Sequence, residues 1–189
     1  MRKAILGLWG AQGMMRLLLA VTLPAVYVTA NAQAPASDPL AAVARLVGAW
    51  SGTSEGQPGT GRVERQYERV LGSRFIQVRN RSIYPPQEKN PKGETHEDIG
   101  FLSFDSTRKR VVFRQFHTEG FVNQYVMEPA TTPDRLVFTT EAIENIPAGF
   151  RARETYILTG PDQLEEIFEL AEPGKSFELY SRTRLTRAR

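Results

Sequence analysis

His96 and His117 are the only imidazoles among 189 residues, and both stand close to carboxylates, Asp98 and Glu119. Imidazole beside carboxylate can hold a divalent metal or exchange a proton near neutral pH. His96, Asp98 and His117 are therefore the candidate metal residues that the composition offers. The zinc-protease pattern is absent, because His96-Glu97 would need a second histidine at position 100, which is Gly100. Side-chain alternation along a strand leaves open whether the two imidazoles share a face. Hydrogen bonding that anchors a neighbouring loop is the plainer use for them.

A second candidate surface is cationic. The run Phe75-Ile76-Gln77-Val78-Arg79-Asn80-Arg81-Ser82-Ile83 puts Gln77, Arg79 and Arg81 on one strand face and Ile76, Val78, Asn80 and Ser82 on the other. Pointing inward, Arg79 and Arg81 would hold the carboxylate or phosphate of an amphiphile whose tail lies on Trp50, Phe101, Phe113, Phe116 or Tyr125, with Gln115 and His117 beside it. Pointing outward, they would pair with glutamates such as Glu64 and Glu68, which is the plainer reading. Covalent catalysis finds little support. There is no Cys and no Gly-x-Ser-x-Gly elbow, and Glu165, Glu166 and Glu169 fall on both faces of one segment, as in a solvated strand. Gly52, Gly56, Gly59 and Gly61 lack the Lys-Ser/Thr and helix of a phosphate loop. These absences argue against an enzyme.

The elements that must position these residues are strands. Short apolar/polar alternating runs near 48–54, 62–70, 75–83, 96–105, 110–118, 121–129, 135–143, 150–158, 163–171 and 176–187 are separated by turn residues. The only helix expected is a short one over 39–47, opened by Asp38-Pro39 and closed by Gly48, with Leu40, Val43, Leu46 and Val47 on one side. The pattern is that of an all-β protein, a single antiparallel up-and-down β-barrel of about ten strands with one short N-terminal helix at the closed end. Such a barrel can enclose a small ligand. Counting antiparallel strands puts the turns at 71–74, 106–109, 130–134 and 159–162 with the helix on a closed floor. The opposite rim carries 55–61, 84–95, 119–120, 144–149 and 172–175 and is the expected mouth. The Pro-rich loop from Tyr84 to Gly93 is expected to cover it. The 106–109 turn sets position 117 opposite position 98, so His96, Asp98, His117 and Glu119 gather on that rim.

The first residues read differently. Leu17 to Val28 is an apolar run too short to span a bilayer, preceded by Arg16 and followed by Ala30-Asn31-Ala32, the pattern of a secretory signal peptide cleaved after Ala32. Met14 or Met15 then becomes a candidate start beside Met1. The expected organisation is a signal peptide at 1–32, a disordered leader at 33–37 and a barrel domain at 38–189, with a periplasmic or secreted location and no membrane span after cleavage. Without Arg2, Lys3 and Arg16 the 24 basic residues fall to 21, equal to the 21 acidic ones, which removes the electrostatic case for nucleic acid. Arg182, Arg184, Arg187 and Arg189 then read as a solvated strand face.

Three segments, Leu46-Val47-Gly48-Ala49-Trp50-Ser51-Gly52, His96-Glu97-Asp98-Ile99-Gly100-Phe101-Leu102 and Gln115-Phe116-His117-Thr118-Glu119-Gly120-Phe121, resemble successive motifs of the nitrobindin-like haem-binding β-barrels, relatives of the lipocalins and fatty-acid-binding proteins. The resemblance covers roughly 46–187 and implies a ten-stranded barrel, with haem as the cofactor it brings into view. Haem-binding members carry an axial histidine on the last strand. Here Tyr180 stands roughly at that place and no histidine follows His117. Tyr180 thus joins both the ligand-binding and the metal candidates, since tyrosine can ligate ferric haem. The expectation is an exported barrel holding a small hydrophobic or amphiphilic molecule. The alternatives are a haem protein or haem-dependent enzyme acting on reactive nitrogen species, as the resemblance implies, and a structural or interaction module with a filled core. The oligomeric state is not legible.

Overall fold

The computed structural model describes residues 37–129 and 131–188. The expected signal segment and most of the expected leader lie outside the described residues. Ten strands follow a short 3₁₀ helix at Ala41–Leu46: β1 Gly48–Gly56, β2 Gly59–Val70, β3 Phe75–Tyr84, β4 Glu94–Asp105, β5 Arg110–His117, β6 Val122–Met127, β7 Arg135–Glu144, β8 Arg151–Leu158, β9 Gln163–Ala171 and β10 Glu178–Arg187. Each strand pairs antiparallel with the next, and β10 returns to pair with β1, so the barrel is closed and has no free edge. Among the described residues, no helix is long and apolar enough to cross a membrane.

The N-terminal helix is 3₁₀ rather than α because its apolar residues repeat every three positions. Leu40, Val43 and Leu46 are all fully buried, and a three-residue turn stacks them on one line. Asp38 accepts the backbone N–H of Leu40 at 2.9 Å, an Asx turn that leads in through Pro39. The helix plugs the floor. Arg45 donates to the carbonyls of Pro133 at 3.2 Å and Gly160 at 3.1 Å, in the β6–β7 and β8–β9 turns. Trp50 belongs to this plug, with its indole N–H on the Leu46 carbonyl at 2.7 Å and the Arg187 guanidinium 4.2 Å over its ring. Arg187 also donates to Val47 O at 2.6 Å and Arg45 O at 3.0 Å, so the last strand ties down the floor.

The mouth departs from expectation in two places. Residues expected as a 55–61 loop continue the strands, since β1 and β2 pair down to Gly56↔Gly59 and leave a two-residue turn. The Pro-rich loop is shorter than expected and bound sideways. Gln87 Nε2 donates to Thr60 O at 3.0 Å and Gln87 Oε1 accepts from Thr60 N at 2.8 Å, which fixes the loop to the start of β2.

Candidate functional site

The barrel interior is layered. Next to the floor it is apolar, with Leu46, Ile76, Leu102, Leu136, Leu164 and Leu185 packed in one cluster. Above this, Phe113 stacks on Tyr125 at 5.8 Å and meets the edge of Phe138 at 6.2 Å. Gly100 lies on the neighbouring strand β4, paired with Gln115, where any Cβ would stand 2.4 Å from the Phe113 ring, so glycine leaves room for that ring in the lumen. The next layer is polar and hydrogen-bonded across strands. Arg65 forms a two-pronged ion pair with Glu166, both side chains about nine-tenths buried. Its Nε donates to Asn80 Oδ1 at 3.0 Å. Asn80 Nδ2 donates to Asp98 Oδ2 at 2.9 Å, and Gln115 Nε2 donates to Asp98 Oδ1 at 2.9 Å.

Burial acts differently on each charge in this layer. It pushes Arg65 down, but the Glu166 carboxylate outweighs it and holds the guanidinium well above its ordinary range. Glu154 has no such partner. Burial, and then the charge of Glu166, push its carboxyl up to about 8, while the Tyr156 hydroxyl donates to it. Asp98 is drawn the other way: burial would raise it, but His96 and Arg65 offset that and hold it below the usual carboxylate range.

At the rim, the register Asp98↔His117 brings both imidazoles to the inner face. His96 Nδ1 lies 2.8 Å from Glu119 Oε1, and its Nε2 lies 3.5 Å from Asp98 Oδ2 and 3.3 Å from His117 Nδ1. The Asp98 carboxylate, helped by Glu119 against burial, pushes His96 up to about 9, so it is cationic at neutral pH. Burial pushes His117 down to about 4, so it is neutral there. The His117 ring stacks on Phe121 at 4.0 Å, and its Nε2 meets the Asn123 amide at 3.2 Å. Phe168 and Tyr180 meet edge-on at 5.4 Å on β9 and β10, next to the β10 bulge between Leu179 and Ser181.

The sequence candidates divide cleanly. Phe113, Gln115, His117 and Tyr125 face the lumen, as do His96 and Asp98 at the rim. Tyr180 is half-buried. Arg79 and Arg81 point outward, because Val78, Asn80 and Ser82 take the inner face of β3, and Arg81 pairs with Glu97 at 3.1 Å. Phe101 is also on the outer face, between the inward Gly100 and Leu102, and Phe116 is half-exposed. Trp50 is in the floor and not in the upper lumen. Glu166, read as part of a solvated strand, is buried on Arg65. Sequence reasoning passed over Arg65, Asn80, Asn123 and Glu154. For Arg65 and Glu154 the available signal was their position between apolar inward neighbours, Val63-x-Arg65-x-Tyr67 and Ala152-x-Glu154-x-Tyr156.

Two buried acceptors in the upper lumen have no partner. Gln115 Oε1 and Asn123 Oδ1 belong to residues that pair directly across β5 and β6, each more than nine-tenths buried. Leaving such oxygens unpaired costs about 1–3 kcal/mol each.

These residues do not fit axial ligation of haem. His96 Nε2 and His117 Nδ1 face each other 3.3 Å apart, a gap that admits no haem plane between the rings, and His96 Nδ1 lies 2.8 Å from Glu119. Tyr180 packs edge-on against Phe168, and burial, followed by Glu94, Tyr84 and Glu119, raises its phenol.

No curated protein matches the chain. Among solved structures it is similar to Rv2717c from M. tuberculosis at a TM-score of 0.62 and 20% identity, covering 82% of this chain and 99% of that one, a likeness of fold. Two slighter likenesses are to the S-type phycobiliprotein lyase CPES from Guillardia theta, at TM-score 0.47 and 14% identity over 77% of this chain and 89% of that one, and to EF1p2_mFAP2b bound to DFHBI, at 0.43 and 13% over 80% and 100%. Residues 39–187 match the family described as the THAP4-like, heme-binding beta-barrel domain, and with a closed ten-stranded barrel over the same span the chain belongs to that family.

Proposed function

We propose that this protein is an exported carrier of a small amphiphilic molecule, taken in through the barrel mouth with its polar end inward. The observation that carries this reading is the pair of unpartnered buried acceptors, Gln115 Oε1 and Asn123 Oδ1. They call for a ligand end that donates hydrogen bonds, such as a hydroxyl, amide or amine. Phe121, Phe168 and Tyr180 supply apolar surface near the rim for the remainder. The polar middle layer disfavours a wholly apolar cargo, which would leave both oxygens unpaired. Family membership supports small-molecule binding, but the 3.3 Å gap between the facing nitrogens of His96 and His117 weighs against haem as that molecule.

Native mass spectrometry with a visible spectrum tests this on protein purified without added ligand. We expect a bound, colourless mass, and competition for an amphiphilic fluorescent probe by a long-chain alcohol or amine. The double variant Gln115→Leu/Asn123→Leu should bind the alcohol more weakly. A Soret band would restore the haem reading. Bare protein that also takes up no probe would favour a filled, structural barrel. Export predicts that protein recovered from the cell envelope begins at Gln33, and an N-terminus at Met1 would refute it.

A further inference from the structure

At the rim, the imidazoles of His96 and His117 meet the carboxylates of Asp98 and Glu119. We propose that His96, His117 and Glu119 form a binding site for a divalent transition-metal ion of the zinc class. Nε2 of His96 and Nδ1 of His117 face each other 3.3 Å apart. Two nitrogens each about 2.0–2.1 Å from zinc at the tetrahedral angle stand about 3.3–3.4 Å apart. The separation therefore matches the two-histidine edge of a tetrahedral site.

Glu119 is the third ligand. One ligating atom from each of the three residues lies within 4.8 Å of the others, and the Glu119 side chain is half-exposed on the β5–β6 turn, free to swing its carboxylate onto the ion. The histidine positions are firm. Within the turn, Gly120 N–H reaches His117 O at 2.8 Å, Thr118 N–H binds Glu97 O at 3.0 Å, and Phe121 lies flat against the His117 ring. A histidine bound through Nδ1 carries its proton on Nε2, the atom that lies 3.2 Å from the Asn123 amide. Asp98, buried and held in place by Asn80 and Gln115, adds a second negative charge behind the ion. His96 is one-quarter exposed, so the fourth position opens toward the mouth.

The test is isothermal titration of the purified protein with Zn²⁺, with Co²⁺ as an optical probe. One ion per chain is expected, with the visible bands of tetrahedral Co²⁺. His96→Gln and His117→Gln should each weaken binding by at least about 100-fold, and Glu119→Gln by about 10-fold. Circular dichroism checks that each variant keeps the fold. If His117→Gln unfolds, His96→Gln and Glu119→Gln decide the matter. Failure of the wild-type protein to saturate below about 1 mM Zn²⁺, or affinities unchanged in the folded variants, would overturn the site and leave the cluster as a hydrogen-bonded anchor for the turn. The readout is independent of amphiphile binding, so either proposal can fall without the other.

Discussion

Replacing Arg65 by Met should be the most damaging single change in the lumen. Methionine keeps the stem's bulk and removes the guanidinium, leaving Glu166 buried without its cation, close enough to Glu154 for their charges to interact, and Asn80 Oδ1 without its donor. Breaking one side of a buried pair costs about 3–5 kcal/mol. For a barrel of this size each kcal/mol lowers the melting temperature by about 2–4 °C, so a fall of about 10–15 °C is expected. Thermal melts followed by far-ultraviolet circular dichroism provide the measurement. The double variant Arg65→Met/Glu166→Leu supplies the control, because replacing both charges removes the stranded carboxylate and should recover most of the loss. A fall below about 3 °C in the single variant would refute the reasoning. So would a double variant no more stable than the single one, since the damage would then lie in lost packing rather than in an unpaired charge.

Three further outcomes follow from the same geometry. Glu154 keeps its proton up to about 8 when folded, against 4.5 ordinarily. The stability this gives is complete below the ordinary value and is lost as pH rises toward 8, at about 1.4 kcal/mol per pH unit; Glu154→Gln should flatten that decline in chemical denaturation, and equal slopes would disprove it. Gly100→Ala places a methyl 2.4 Å from Phe113 and 2.9 Å from the Arg114 carbonyl, so its urea midpoint should drop by an amount equivalent to about 1–3 kcal/mol. Tyr180→Phe should leave the visible spectrum of haem-incubated protein unchanged, and a lost or shifted Soret band would show that Tyr180 ligates after all.

Much of this architecture was open to sequence reading, and the failures share one cause. The ten strands and the floor turns follow from alternation and turn residues, and counting from the 106–109 turn set Asp98 opposite His117 as observed. Which face of a strand points inward was harder. The usual rule puts the apolar face inside, but in β3 both faces carry polar residues, Arg79 and Arg81 outward and Asn80 and Ser82 inward. Arg65, Glu154 and Glu166 look like solvent-facing charges when taken singly. Their burial is possible only because partners from distant strands meet them, and spacing within one strand cannot reveal that. The helix type could be read from the three-residue repeat of Leu40, Val43 and Leu46, which favours 3₁₀ over α geometry.

The ion pair between Arg65 and Glu166 joins positions 101 residues apart, and the β1–β10 seam joins residues farther apart still. This separation bears on how the chain reaches its native state. A partial barrel ending before β9 would have to bury Arg65 alone or leave the lumen wet, and either cost cancels much of what the early strands gain by pairing. Such intermediates have little reason to accumulate. Closure of long loops also slows the search for these contacts. Folding should therefore be slow and concerted, gated by arrival of the last two strands, and a chain truncated before Gln163 should remain unfolded rather than form a smaller barrel.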